Sequence, residues 1–363
     1  MQRTRLIAAN RPHLCVRSGF GPWSLPGFRG NVAAIAARET PVTDRRRRHL
    51  ILTAAAALAL PGLAALPASA RPLPRPPAFH PLVHHRALGD LQVTTIADGF
   101  FDLDRDLVVN LDNALYRSAV TEAYLDPDQP IRVPVSVHLI RHGDQLTLID
   151  AGGGSAFGDT TGGLAASLRA LDIAPERIDR VVMTHLHPDH AGGLITDAGA
   201  TFANATLHLH QDELAFWTDE TADAPAEMAP FMALARSVAE AYGDRIQTFQ
   251  DQDDLGGGLT AMALPGHTPG HSGLRLSDGD DQMMIIGDAA ALAALQFRHP
   301  DAGIVFDVDP GRAAVTRRDL LQMVTADRIA VAGTHLPFPG IGHVETRRDA
   351  FAWVPEDWFA TRP

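Results

Sequence analysis

The chain has 363 residues, 45% of them apolar, which is enough core for one large domain or two of ordinary size and argues against a disordered or fibrous class. Its single cysteine, Cys15, leaves neither a disulfide framework nor a thiolate zinc site, so any metal must be held by His, Asp or Glu. The formal charge is −12 with no lysine, and beyond residue 70 only 21 arginines face 41 acids, a balance unsuited to gripping a phosphate backbone; nucleic acid is not an expected partner.

Along the chain, Arg45 to Arg48 precede an Ala- and Leu-rich stretch over residues 50–66, and Ala68-Ser69-Ala70 supplies the small residues that signal peptidase accepts. Residues 1–70 are therefore expected to be an N-terminal extension and a cleaved signal, resembling a twin-arginine signal but with His49-Leu50 where Phe usually follows the pair. Pro61-Gly62 and Pro67 interrupt an apolar run already short of the ~20 residues a bilayer needs, so no stable membrane anchor is expected. The mature protein is expected in the periplasm or outside the cell, its metal loaded during cytoplasmic folding. Residues 71–90 are read as a Pro-rich leader and residues 91–363 as one domain.

A first strand is expected over residues 91–97, with Asp98-Gly99-Phe100-Phe101 as a turn and a loop-rich region to Pro130. Residues 133–140 and 145–149 form a hairpin about Arg141 to Asp144, ending in Asp150-Ala151-Gly152-Gly153-Gly154. A short helix over 164–171 leads to a buried strand over 178–183. Further on, strands are expected at 206–209, 246–249, 259–264, 273–276, 283–286 and 329–332, and helices from 211, over 225–242 and over 313–324 after Asp309-Pro310. Two runs of strands with helices between them predict an α/β (α+β) four-layer sandwich of two mixed sheets flanked by helices.

After the strand over 178–183 comes Thr-His-Leu-His-Pro-Asp-His-Ala-Gly-Gly, residues 184–193. His185, His187, Asp189 and His190 fall within six residues, and such groups cannot crowd together cheaply without a cation. The first two alternate as in extended chain and the others follow Pro188, which can open a helix. Two ligand pairs pointing two ways suggest two metals. Nitrogen and oxygen donors without sulfur make Zn²⁺ the expected ion, with Mn²⁺, Co²⁺ and Fe²⁺ compatible. His267, Asp288 and His335 each stand just beyond an expected strand, where a sheet can bring them to one cleft. Alone, each would pass as an ordinary surface or core residue.

Residues 184–193 resemble the H-x-H-x-D-H signature of the metallo-β-lactamase superfamily, and Gly266-His267, Gly287-Asp288 and His335 match its later motifs in order. The resemblance covers residue 91 to the C-terminus and implies the same αββα sandwich. It implies one metal held by His185, His187 and His267, a second by Asp189, His190 and His335, and Asp288 bridging them. True β-lactamases of the superfamily do not keep that bridging aspartate. The segments 266–271, 293–297 and 335–343 look closest to methyl parathion hydrolase and its secreted relatives. Acyl-homoserine lactone lactonases usually carry a tyrosine three residues after the bridging aspartate, where this chain has Ala291.

The expected function is that of a secreted dinuclear hydrolase of a neutral phosphotriester, lactone or aryl ester, with a metal-bridging hydroxide as nucleophile and Asp189 or Asp288 as proton acceptor. Phe216, Trp217, Phe297 and His343 are the expected substrate-pocket residues; Phe101, Phe231 and Phe338 are further candidates for which core packing is the stronger reading. Alternatives are an acyl-homoserine lactone lactonase, a glutathione thioester hydrolase, a mononuclear iron oxygenase, and a non-catalytic binding protein stabilised by metal. The leader at 71–81 and the segment 218–242 offer surfaces for a homodimer contact.

Overall fold

The computed structural model describes residues 81–219, 228–348 and 350–357. The expected signal, the leader up to residue 80 and residues 220–227 lie outside the described residues.

Seven strands form the first sheet in chain order: β1 (Val83–Leu88), β2 (Leu91–Leu103), β3 (Ile131–His142), β4 (Gln145–Ile149), β5 (Arg180–Val182), β6 (Thr206–His210) and β7 (Ile246–Phe249). The first four pair antiparallel and the last four parallel. Seven more form the second sheet, again in chain order: β8 (Asp254–Gly256), β9 (Leu259–Ala263), β10 (Ser272–Asp278), β11 (Asp281–Ile285), β12 (Ala330–Ala332), β13 (Ile341–Arg347) and β14 (Ala350–Pro355). Only β11 and β12 run parallel there, because α6 (Pro310–Ala326) crosses between them.

Side-chain alternation explains the layers. Met283 and Ile285 face the first sheet, packing with Val93, Ile140, Ile149 and Val182, while Met284 and Ile286 face α6 through Leu320, Leu321 and Val324. On the outer face of the first sheet, Val137, Leu148, Val181 and Leu207 receive α2 (Leu164–Ala170) through Leu168 and α5 (Ala229–Tyr242) through Met232, Ala235 and Val238. Each such Val, Leu, Ile or Met side chain, fully buried, contributes about 1.5–3 kcal/mol of transfer free energy. The order is helices, sheet, sheet, helix, as expected.

Several expectations need correction. Residues 83–88, assigned to the leader, are β1 and pair along their whole length with β2. The expected turn at Asp98 to Phe101 is instead the middle of β2, which passes through a register shift between Ala97 and Gly99. Asp98 is buried there and accepts the N–H groups of Gly153, Gly162 and Leu164, anchoring the glycine loop after β4. The loop-rich region contains α1 (Asn113–Glu122), capped by Asp112. Beyond β12 the chain makes two more strands, β13 and β14.

Candidate metal centre

The motif leaves the end of β5 in extended conformation, and Pro188 at the first position of the one-turn helix α3 (Pro188–Ala191) turns Asp189 and His190 back towards the sheet. His267 lies on the loop between β9 and β10, Asp288 on the turn after β11, and His335 beyond the end of β12. All seven expected ligands are buried. His185, His187 and His267 form one group and Asp189, His190, Asp288 and His335 another, with potential ligand atoms in each within 4.8 Å of one another. Asp288 reaches both: Oδ1 is 3.1 Å from His190 Nε2 and from His335 Nε2, and Oδ2 is 3.3 Å from His267 Nε2.

Three of the rings, His190, His267 and His335, are oriented from behind. Asp150, in the left-handed region at φ 59°, accepts from Thr184 N at 2.8 Å and pairs with His190 Nδ1 at 2.8 Å. Asp307 Oδ1 holds His267 Nδ1 at 2.7 Å and its other oxygen accepts from Ile304 N. The Pro134 carbonyl accepts from His335 Nδ1 at 2.7 Å. His271 donates through Nδ1 to the Leu264 carbonyl and accepts the Asp288 N–H at Nε2, so it is neutral and sits behind Asp288; burial, then the nearby His267, lowers its pKa to about 3. Gly287 permits this approach: its φ is 48°, and a Cβ there would stand 2.7 Å from His271 Nε2.

Glu213, on α4 (Gln211–Thr218), ties the first group together. One oxygen accepts from Leu186 N at 2.9 Å and Trp217 Nε1 at 2.6 Å, the other from Thr268 Oγ1 at 2.6 Å and Gly270 N at 3.1 Å. It thus joins the segment carrying His185 and His187 to the loop carrying His267.

The electrostatics fit two cations. Burial, reinforced by neighbouring imidazoles, holds His185 and His187 well below their ordinary pKa, leaving neutral rings with lone pairs to donate. In the second group burial alone would depress the rings, but Asp288 and Asp189 reverse it, raising His335 to about 10 and, with Asp150, holding His190 well above its ordinary value. The carboxylates thus draw positive charge into a buried site. His185 Nε2 and His187 Nε2 are buried without a hydrogen bond among the described residues. His187 Nδ1 faces His267 Nε2 at 2.8 Å, and His190 Nε2 faces His335 Nε2 at 3.2 Å. Unpaired donors aimed at one another within 4.8 Å are what divalent cations require.

The expected substrate-pocket residues fare differently. Trp217 packs edge-on against His187 at 5.3 Å but is fully buried. Phe216 touches Trp217 at 5.0 Å rather than a ligand ring. Phe297 lies tilted against Trp353 in a neighbouring cavity. His343 is not at the centre: it is exposed on β13, opposite Val354, and lines a polar depression with Arg86 and Arg275 that none of the seven clustered His and Asp side chains borders. The half-buried rings at the centre are Phe101, 5.5 Å from His335 and stacked on Phe157, and Phe231, 5.5 Å from His187 and tilted against Phe306. Phe157, Phe306, Glu213 and Asp307 were not foreseen; the Phe-Asp-Val-Asp run at 306–309 was the available signal for two of them.

Comparison with known proteins agrees with this geometry. The model of the metallo-β-lactamase superfamily matches residues 130–335. The hydrolase AbOPH, a β-lactamase-superfamily protein of known structure, is 30% identical, with a TM-score of 0.72 covering 76% of this chain and 98% of that one. AidC, described as a dizinc quorum-quenching lactonase, is 23% identical and shares the fold, with a TM-score of 0.73 over 77% of this chain and 99% of its own. The N-acyl homoserine lactonase AttM of Azorhizobium caulinodans is 30% identical over 169 residues, 38% of this chain and 58% of that protein. The chain spans less than two thirds, 65% and 58%, of the curated relatives it matches.

Proposed function

The chain belongs to the metallo-β-lactamase superfamily of hydrolases, and from that premise we propose that it is an exported dinuclear enzyme that hydrolyses neutral esters: a phosphotriester, a lactone or an aryl ester. The observation that carries this reading is Asp288, whose two oxygens reach toward both ligand groups. Zn²⁺ is the ion the His and Asp donors favour. When bound, two such ions would activate water at neutral pH and polarise the carbonyl or phosphoryl oxygen under attack.

The chain's own residues supply the rest. Asp189 has the more open of the two carboxylates in the second group, its side chain 11% exposed against 5% for Asp288, which makes it the better placed to accept a proton from the attacking water. Phe101 with Phe157 on one side and Phe231 with Phe306 on the other offer apolar faces to an uncharged alkyl or aryl group and exclude bulk water. Likeness to the lactonase AttM supports a second reading, acyl-homoserine lactone hydrolysis; the small buried Ala291, in place of the expected tyrosine, weighs against it.

Export rests on the residue pattern of 1–70 alone; among the described residues no helix is long and apolar enough to cross a membrane. The test is a side-by-side panel with metal-loaded protein. Turnover of a phosphotriester, simple lactone or aryl ester is expected. Turnover confined to acyl-homoserine lactones favours the second reading, and turnover of a glutathione thioester alone contradicts both.

A further inference from the structure

Beside the metal centre lies a cavity of 920 Å³ that the proposed reaction does not use. Its walls are apolar, formed by Val133, Phe297, Phe351 and Trp353 among others. Its charged lining has one sign: Arg132, Arg298, Arg347 and Arg348 border it and, among the described residues, no Asp or Glu does. Beyond residue 70, 41 acids face 21 arginines, so this concentration runs against the composition of the chain. Arg132, Arg298 and Arg347 pair with Asp102, Glu122 and Glu345, which stand outside the lining. Arg348 makes no ion pair among the described residues. The indole N–H of Trp353 is buried and has no acceptor there either, and a buried donor without an acceptor is costly.

We propose that this cavity is a second binding site, for a small amphipathic anion such as an alkyl or aryl carboxylate. The apolar part lies against Phe297, Phe351 and Trp353. The anionic head lies at the arginine rim, and Trp353, whose N–H is unmet, lines the same cavity. Apolar walls with a few convergent polar groups are the usual make-up of a small-molecule site, and guanidinium groups suit carboxylates. The site shares a wall with the metal centre, since His335 and Pro134, whose carbonyl fixes the His335 ring, both border it. An occupant therefore rests against the support of a ligand without needing to reach the metals.

The probe is decanoate, titrated calorimetrically into the metal-loaded full chain, with decanol as the neutral control. Saturable binding of decanoate is expected, with decanol binding more weakly. The double variant Arg347→Glu/Arg348→Glu and, separately, the conservative Trp353→Phe should each weaken decanoate about tenfold or more, while turnover of a short aryl ester is unchanged. A carboxylate can also bind metals directly, so the titration is repeated on metal-free protein, where binding should persist. The proposal is overturned if decanoate does not bind, if decanol binds equally well, if neither variant weakens binding, or if binding vanishes with the metals. It is equally overturned if sedimentation shows a dimer and the dimer excludes decanoate.

Discussion

Replacing Glu213 by Ala should loosen one half of the metal centre selectively. Its carboxylate takes four hydrogen bonds in a fully buried setting, from Leu186, Trp217, Thr268 and Gly270. Removing it strands the N–H groups of Leu186 and Gly270, and breaking a buried charged network of this kind costs about 3–5 kcal/mol. The Gln variant keeps one acceptor oxygen but turns an amide N–H₂ towards Thr268 or Leu186, so about 1–3 kcal/mol is expected. Leu186 lies between His185 and His187, and Thr268 follows His267, so the loss falls on that trio and not on Asp189, His190 and His335. One of the two metals should therefore weaken by about 10–100-fold, as loss of supporting partners commonly does, and the other much less. Urea unfolding of the metal-free variants and equilibrium dialysis against Zn²⁺ read the two effects. The reasoning is refuted if Glu213→Ala unfolds within about 0.5 kcal/mol of the unaltered chain, as a surface change would, or if both metals weaken equally.

Three further outcomes are expected. Asp307→Asn removes the charge that orients His267 through Nδ1, and metal affinity at that group should drop about 10–100-fold in a competition titration; unchanged affinity would contradict the role. Burial lowers the pKa of His138 to about 4. The unfolded chain, at about 6.5, then takes up the proton first, so this contribution to stability is complete above pH 6.5 and lost as pH falls to 4, by up to about 3 kcal/mol. His138→Asn should flatten the acid limb of metal-free stability between those values, and an identical slope would refute the assignment. Phe101→Ala and Phe231→Ala should each raise KM for an aryl ester by about 2–10-fold with kcat little changed, which steady-state kinetics measures.

The two residue clusters were legible because His185, His187, Asp189 and His190 form a dense local pattern that little but metal binding demands, and His267, Asp288 and His335 stand where strands stop. Their supports were not. Glu213 occupies an unremarkable place in the first turn of α4, and its partners Leu186 and Thr268 lie 27 and 55 residues away. Phe101 was read as part of a turn because Asp98-Gly99 is turn chemistry, whereas Asp98 is spent on the glycine loop and β2 runs on past it. Sequence proximity to His335 misled the reading of His343: β13 starts at Ile341 and carries His343 away from the cleft to an exposed position. Of the last two strands, Ile341–Arg347 is half-buried and polar-rich and lacks the apolar runs that marked the central strands, whereas Ala350–Pro355 is apolar but short and mostly half-exposed.

The central claim is a two-metal hydrolytic site in which Asp288 would serve both ligand groups, and metal counting coupled to turnover tests it most directly. Native mass spectrometry of the metal-loaded chain should find two divalent ions per chain. His187→Ala and Asp288→Ala should each lose bound metal together with ester hydrolysis. One iron per chain in the unaltered protein, or full turnover in either variant, would contradict it.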